Sequence, residues 1–159
     1  TDLQASDYFG YDVALNSDGT YAVVGSAFED TGQTSAGSAY VFTRSGSTWT
    51  QQAKIQASDV TGSAFFGSGT SMNSNGTFII VGAYGLNSRI GSVYIFERSG
   101  STWTQKLKLR GSDATTTYSD GGATNVSMNS DGSVVIYGHY FETVSSVTGV
   151  GAAYIYEAG

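Results

Sequence analysis

Cysteine and proline are absent from this 159-residue chain, histidine occurs once, and lysine and arginine together number 7. Without cysteine, thiolate zinc sites, iron–sulfur clusters and thiol nucleophiles are excluded, and no redox compartment can be read from disulfides; the absence is compatible with secretion. The single histidine, His139, has no second His or Cys to complete a typical zinc site and reads as structural. Seven basic residues against 13 acidic ones give a formal charge of −6, the wrong sign for a phosphate backbone, so no nucleic-acid partner is expected. No window approaches the ~18 apolar residues of a membrane span. The polar start Thr1-Asp2-Leu3-Gln4 does not look like a signal peptide, so any targeting segment would already have been removed. Neither a nucleophile–base set nor a phosphate-cradling glycine motif occurs, so no catalytic residue and no cofactor is expected.

What is abundant is glycine (22) and tyrosine (11) in a background of Ser, Thr and Asn, a mixture suited to short strands and tight turns. The length suffices for one domain with a sizeable core. Internal repetition organises it. Phe9-Gly10 recurs as Phe66-Gly67, and the turn Asn16-Ser17-Asp18-Gly19 recurs as Asn73-Ser74-Asn75-Gly76 and Asn129-Ser130-Asp131-Gly132. Val24-Gly25 returns as Val81-Gly82 and Tyr137-Gly138. Gly37-Ser38-Ala39-Tyr40-Val41-Phe42 returns around Tyr94 and Tyr154, and the segment from Ser45 to Gln51 is repeated unchanged from Ser99 to Gln105. The unit is roughly 55 residues long.

Each unit divides into four strand-like runs, in the first copy 11–15, 21–28, 38–43 and 48–55, with an Asn-x-Asp-Gly hairpin turn after the first run. The middle runs are apolar on both sides, as expected of strands between two layers. In the fourth run Trp49, Gln51, Ala53 and Ile55 are placed on one side and Thr50, Gln52 and Lys54 on the other. Its counterpart exposes Lys106, Lys108 and Arg110, a solvated outer edge. Almost no helix is expected. The fold class is all-β: a β-propeller-type chain of three tandem four-stranded antiparallel blades, about 4–55, 56–109 and 110–159, the third lacking its outer strand.

The phrase Phe9-Gly10-Tyr11-Asp12-Val13-Ala14-Leu15, followed by Val23-Val24-Gly25-Ser26-Ala27 and Gly37-Ser38-Ala39-Tyr40-Val41-Phe42, resembles the FG-GAP repeat family, which includes the blades of integrin α-subunit propellers and repeats of secreted bacterial and protist proteins. The third copy carries Asp120-Gly121 in place of Phe-Gly. The resemblance implies a propeller fold, an extracellular or cell-surface setting, and interaction rather than chemistry. Integrin-type blades often carry a calcium loop, Asp-x-Asp-x-Asp-Gly-x-x-Asp. Its pattern leaves Asn16, Asp18, Asn129 and Asp131 as calcium candidates, but both outer acidic positions are lost in every copy, which favours a plain hairpin turn.

Leu3-Gln4-Ala5-Ser6-Asp7 matches Ile55-Gln56-Ala57-Ser58-Asp59, so the chain is expected to begin as a fourth strand finishes and to end one strand short, with an open edge that invites self-assembly into a ring or fibre, or marks a fragment of a longer propeller. Of the other candidates, Asp7, Asp59 and Asp113 are read as turn acceptors, and Glu29, Asp30 and Glu142 as loop carboxylates with no sign of convergence. Trp49 and Trp103 could form an aromatic binding surface, although their shared repeat position favours packing between blades. Asn75 and Asn125 head glycosylation sequons. The functional expectation is a non-catalytic extracellular structural or adhesion module that self-assembles through blade edges and faces. Its rivals are a lectin-like glycan- or protein-binding module, using the loops at 32–36, 86–90 and 143–149, and a calcium-dependent integrin-like adhesion propeller.

Overall fold

The computed structural model describes residues 2–85, 91–111, 122–140, 147 and 149–158. Asp113, Asp120, Gly121, Glu142, the loop at 86–90 and most of 143–149 therefore lie outside the described residues. Among the described residues, eleven strands form three antiparallel sheets. Sheet 1 runs β1 (Phe9–Leu15), β2 (Tyr21–Ser26), β3 (Ser38–Ser45), β4 (Thr48–Ile55) in spatial as in chain order. Sheet 2 repeats this with β5 (Phe66–Met72), β6 (Phe78–Ala83), β7 (Ser92–Ser99) and β8 (Thr102–Leu109). Sheet 3 has β9 (Gly122–Met128), β10 (Val134–His139) and β11 (Ala152–Glu157), with β11 at its edge. Among the described residues there is no helix, and none long and apolar enough to cross a membrane.

The hairpin turns explain the regular order. Asn16 Oδ1 accepts the N–H groups of Thr20 and Tyr21, each at 2.9 Å, and Asn73 does the same for Thr77 and Phe78. Positive φ at Gly19, Gly76 and Gly132 closes each turn, a conformation that glycine adopts without steric cost.

The sheets stack face to face. One core, built from Val23, Ala39, Val41 and Ile55 of sheet 1 and Phe66, Ile79, Val81, Tyr94 and Phe96 of sheet 2, fills the first interface. A second, with Ile80, Val93 and Ile95 against Ala123, Val135 and Tyr137, fills the next. The inner strands β1, β5 and β9 lie close together while the outer strands fan apart, which is how propeller blades radiate.

Two sequence expectations are corrected. The fourth strand does not alternate strictly: Val41 pairs with Ala53 but Phe42 pairs with Gln51, so Gln52 is an extra, bulged residue. A bulge of one residue moves everything beyond it to the other face, which puts Trp49 and Gln51 opposite Ala53 and Ile55. Lys106 is the bulged residue of β8 in the same way. The Phe-Gly position of the third copy is held by Gly122-Ala123 rather than Asp120-Gly121, because Gly122 pairs with His139 as Phe66 pairs with Ala83. Ala123 duly has φ +64° where Gly67 has +96°.

Candidate interaction surfaces

Both outward faces of the stack carry exposed apolar side chains. On sheet 1, Phe9, Val13, Leu15 and Trp49 are exposed on the face turned away from sheet 2. On sheet 3, Ile136 and Ile155 pair across strands and stand exposed on the face turned away from sheet 2. The register equates these surfaces with buried ones. Ile136 and Ile155 occupy the places of Val23 and Val41 in sheet 1 and of Ile80 and Ile95 in sheet 2, all buried under the following sheet. Val13 and Leu15 occupy the places of Thr70 and Met72, which are buried under the preceding sheet. The outward faces are thus the two halves of the interface that recurs inside the chain.

Two details of that interface repeat, and a third is particular to the first interface. A Cβ on Gly25 would lie 1.9 Å from the carbonyl oxygen of Gly67, and one on Gly82 would lie 1.7 Å from that of Ala123, so only glycine lets the next inner strand approach. At the third such position, Gly138, the nearest atom is Asn125 Cβ at 3.8 Å, and a cavity of about 260 Å3 lies over it, lined by Asn125, Ser127, Ile136, Gly138 and Ala153. The turns also form a ladder: Ser17 N–H donates to the Ser74 carbonyl at 3.1 Å, and Ser74 N–H to that of Ser130 at 2.9 Å. Finally, the Asp12 carboxylate accepts the Thr70 N–H at 2.5 Å across the first interface.

The two tryptophans part company. Trp103 is half-buried on the first core, and its Nε1 donates to Gln52 Oε1 at 3.1 Å, between blades. Trp49 is 41% exposed, with the Arg44 guanidinium 5.9 Å from its ring centroid. The basic residues of β8 are paired: Lys106 with Glu97 at 2.8 Å, and Lys108 with Asp59.

A polar cluster repeats on both complete blades. Asp2 accepts Lys54 and, at 3.0 Å, the Tyr40 hydroxyl, with Lys54 Nζ 5.4 Å from the Tyr40 ring centroid. Asp59 accepts Lys108 and, at 2.8 Å, Tyr94, with Lys108 also 5.4 Å from the ring. Asp2, not Asp7, is therefore the counterpart of Asp59; buried Asp7 instead accepts the Gln4 N–H at 2.7 Å. Blade 1 adds Glu29, 4% exposed, which takes Lys54 at 2.9 Å, Ser38 Oγ at 2.7 Å and the Thr31 N–H at 3.0 Å. Burial alone would raise the Glu29 carboxyl, but hydrogen bonds from Thr31, Ser38 and Lys54 more than offset it and hold it below its usual range. Burial likewise opposes the charge on Lys54, yet Asp2 and Glu29 raise its ammonium well above normal. Burial, helped by Asp2 and opposed by Lys54, pushes the Tyr40 phenol up to about 12.

The calcium candidates sit in the turns. Asp18 Oδ1 accepts the Thr20 N–H and hydroxyl at 2.9 and 2.6 Å, Asp131 accepts those of Ser133 at the same distances, and Asn129 Oδ1 accepts the Val134 N–H at 3.0 Å. Among the described residues no group of three or more metal-ligating side chains gathers. Asn75 is exposed on its turn, and Asn125 is exposed on the outward face of sheet 3, beside the cavity over Gly138. Asp30 is exposed and accepts the Ser35 N–H at 2.7 Å. His139 is buried, edge-on to Tyr154 at 5.7 Å.

Sequence reasoning missed an aromatic row at the end of the stack that carries the β2–β3 loop. Tyr8 and Tyr11 meet Phe28 at 4.8 and 6.0 Å, Phe28 meets Phe65 at 4.9 Å, and Phe65 stacks on Tyr84 at 4.5 Å. Tyr8 and Phe65 have φ of 51° and 54°, a costly region for aromatic residues. The repeated aromatic doublets Tyr8-Phe9 and Phe65-Phe66 were the available signal.

Radiating antiparallel sheets with a shared inner axis and open end faces define a β-propeller-type repeat module. The FG-GAP repeat family matches residues 1–42 and 49–96, and the chain belongs to it. Repeats of this family are typically extracellular or surface-associated, and family and fold together mark an adhesion-type or protein-binding module. Among solved structures the chain is similar to TolB from Acinetobacter baumannii, with a TM-score of 0.51 and 15% identity over 93% of this chain and 29% of TolB. It also matches the tricorn protease, with a TM-score of 0.46 and 12% identity over 90% of this chain and 13% of that one. The chain thus spans less than a third of either protein. No curated protein matches the sequence.

Proposed function

We propose that this chain is a non-catalytic extracellular adhesion or structural module that self-assembles head to tail, the outward face of sheet 3 receiving the outward face of sheet 1 of the next copy. The observation that carries this reading is the repeat equivalence of the two faces, above all the open space over Gly138, at the position where Gly25 and Gly82 each meet the inner strand of the following blade. In the assembled contact, Gly10 of the second copy enters that space, Ser130 N–H continues the turn ladder onto Ser17 of the second copy, and Ile136 and Ile155 are covered by its Val13 and Leu15. Open, non-closing repetition of such a contact gives filaments; closure gives a ring. The module works without a cofactor, so a chelator leaves its melting temperature unchanged.

Sedimentation velocity across a concentration series tests the reading. Mass is expected to grow with concentration in the parent chain and to stay monomeric in Ile136→Asp and Val13→Asp, whose melting temperatures are unaltered. A parent chain that is monomeric at every concentration overturns it. A glycan on Asn125 would block the same face, so glycosylation there is expected to oppose assembly.

The aromatic row, in which Tyr8 and Tyr11 are exposed and Phe28, Phe65 and Tyr84 half-buried, supports a second reading, a glycan-binding module, because accessible rings in series stack on sugar faces. It requires saturable binding to a glycan panel that is lost in Tyr84→Ala; binding that survives this change counts against the row.

A further inference from the structure

Between blades 1 and 2 an indole fills the outer part of the interface. Trp103, in register with Arg98 on the face of sheet 2 turned toward sheet 1, packs on the same core as Tyr21 and Ala53 and donates to the bulged Gln52. Between blades 2 and 3 the corresponding place is a cavity of about 250 Å3. Its lining repeats the surroundings of Trp103 position by position: Phe78 stands for Tyr21, Ile95 for Val41, Leu107 for Ala53, Lys106 for Gln52 and Tyr156 for Phe96. Leu107 is 37% exposed there.

The edge of β11 carries the matching polar features. Glu157 pairs with Val134 as Glu97 pairs with Phe78, and Glu97 binds Lys106 at 2.8 Å. Tyr154 holds the place of Tyr94, over whose ring Lys108 lies. A strand reading Trp-Thr-Gln-Lys-Leu-Lys, as β8 does, would find a cavity for its indole, a carboxylate for its first lysine and an aromatic face for its second.

We propose that the outer edge of β11 is a strand-accepting site for an extended, basic polypeptide segment with an aromatic residue in the Trp103 pattern. Main-chain hydrogen bonds to β11 supply affinity, and the cavity with Glu157 supplies selectivity. Charge favours this partner, because the chain carries a formal −6 whereas the segment 99–110 has three basic residues and no acidic one. The proposal deepens the assembly reading by naming what the edge accepts, but its test is separate: it is read on dilute monomer and needs no stacking of faces.

The experiment is fluorescence anisotropy with a labelled synthetic peptide of residues 99–110. Saturable binding is expected, weakened about tenfold or more when the peptide's tryptophan is replaced by alanine. Leu107→Trp, which fills the cavity, is expected to weaken binding similarly at unchanged melting temperature, and Glu157→Gln to weaken it and flatten its salt dependence. Absence of saturable binding, equal binding of the alanine or a scrambled peptide, or undiminished binding to Leu107→Trp overturns the proposal.

Discussion

The segments from Ser45 to Gln51 and from Ser99 to Gln105 are identical in sequence, yet Trp103 is packed and hydrogen-bonded between blades while Trp49 is 41% exposed. Nothing local distinguishes them; both follow the same turn and precede the same kind of bulge. The difference is the sheet that lies over Trp103, whereas among the described residues none lies over Trp49. The energetic role of a repeat residue is therefore set by its neighbour blade, and positions that match in sequence should differ in cost when mutated.

The sharpest contrast is at the glycine slots. Gly82→Ala places a methyl 1.7 Å from the Ala123 carbonyl oxygen and should cost more than about 4 kcal/mol or prevent folding. Gly138→Ala meets only Asn125 at 3.8 Å and should melt like the parent while losing assembly. Phe66 and Phe9 make the same ring contacts, to Tyr94 and Phe96 and to Tyr40 and Phe42, but are 0% and 42% exposed. By urea denaturation Phe66→Ala should lose about 4 kcal/mol and Phe9→Ala under about 1.5.

Of the two complete blades only the first has a glutamate at the place of Glu29, Leu86 holding the equivalent sequence position in the second. Glu29→Gln leaves the part-buried Lys54 with one carboxylate fewer and should cost about 3 kcal/mol. Trp103→Ala should cost about 2 kcal/mol and Trp49→Ala under about 0.5; an equal loss at both would break the comparison. The smallest effect is on pH dependence. Glu29, Asp2 and Asp59 have folded pKa values held below their ordinary 4.5, 3.8 and 3.8, so their contribution is full above those values and is lost as pH falls through the lowered ones. Melting temperature should fall in that acid range, less steeply in Glu29→Gln; a curve independent of pH there would refute the cluster's role.

Much of the fold was legible because its signals are local. Asn-x-Asp-Gly turns, alternating apolar runs and the returning Gly-x-x-Tyr strands predict hairpins, and three copies in order predict stacked blades. The β4 face assignment was not legible, since a bulge at Gln52 leaves no mark in the alternation of Trp49, Gln51, Ala53 and Ile55. Nor was the pairing of Asp2 with Lys54 and Tyr40, because a local match of Leu3-Gln4-Ala5-Ser6-Asp7 to the end of β4 pointed to Asp7. The aromatic row joins residues from two blades and the connection between them, which no window of sequence places together.

By itself the sequence determined the strands, their order and the family, since hydrogen-bonded hairpins depend on residues a few positions apart. Only the tertiary structure decided which copy of each repeated residue is covered, which glycine faces a backbone and which faces a cavity, and where an unfilled place for an indole remains. Those properties belong to the space between blades, and a chain of near-identical units encodes that space only through what is stacked beside each one.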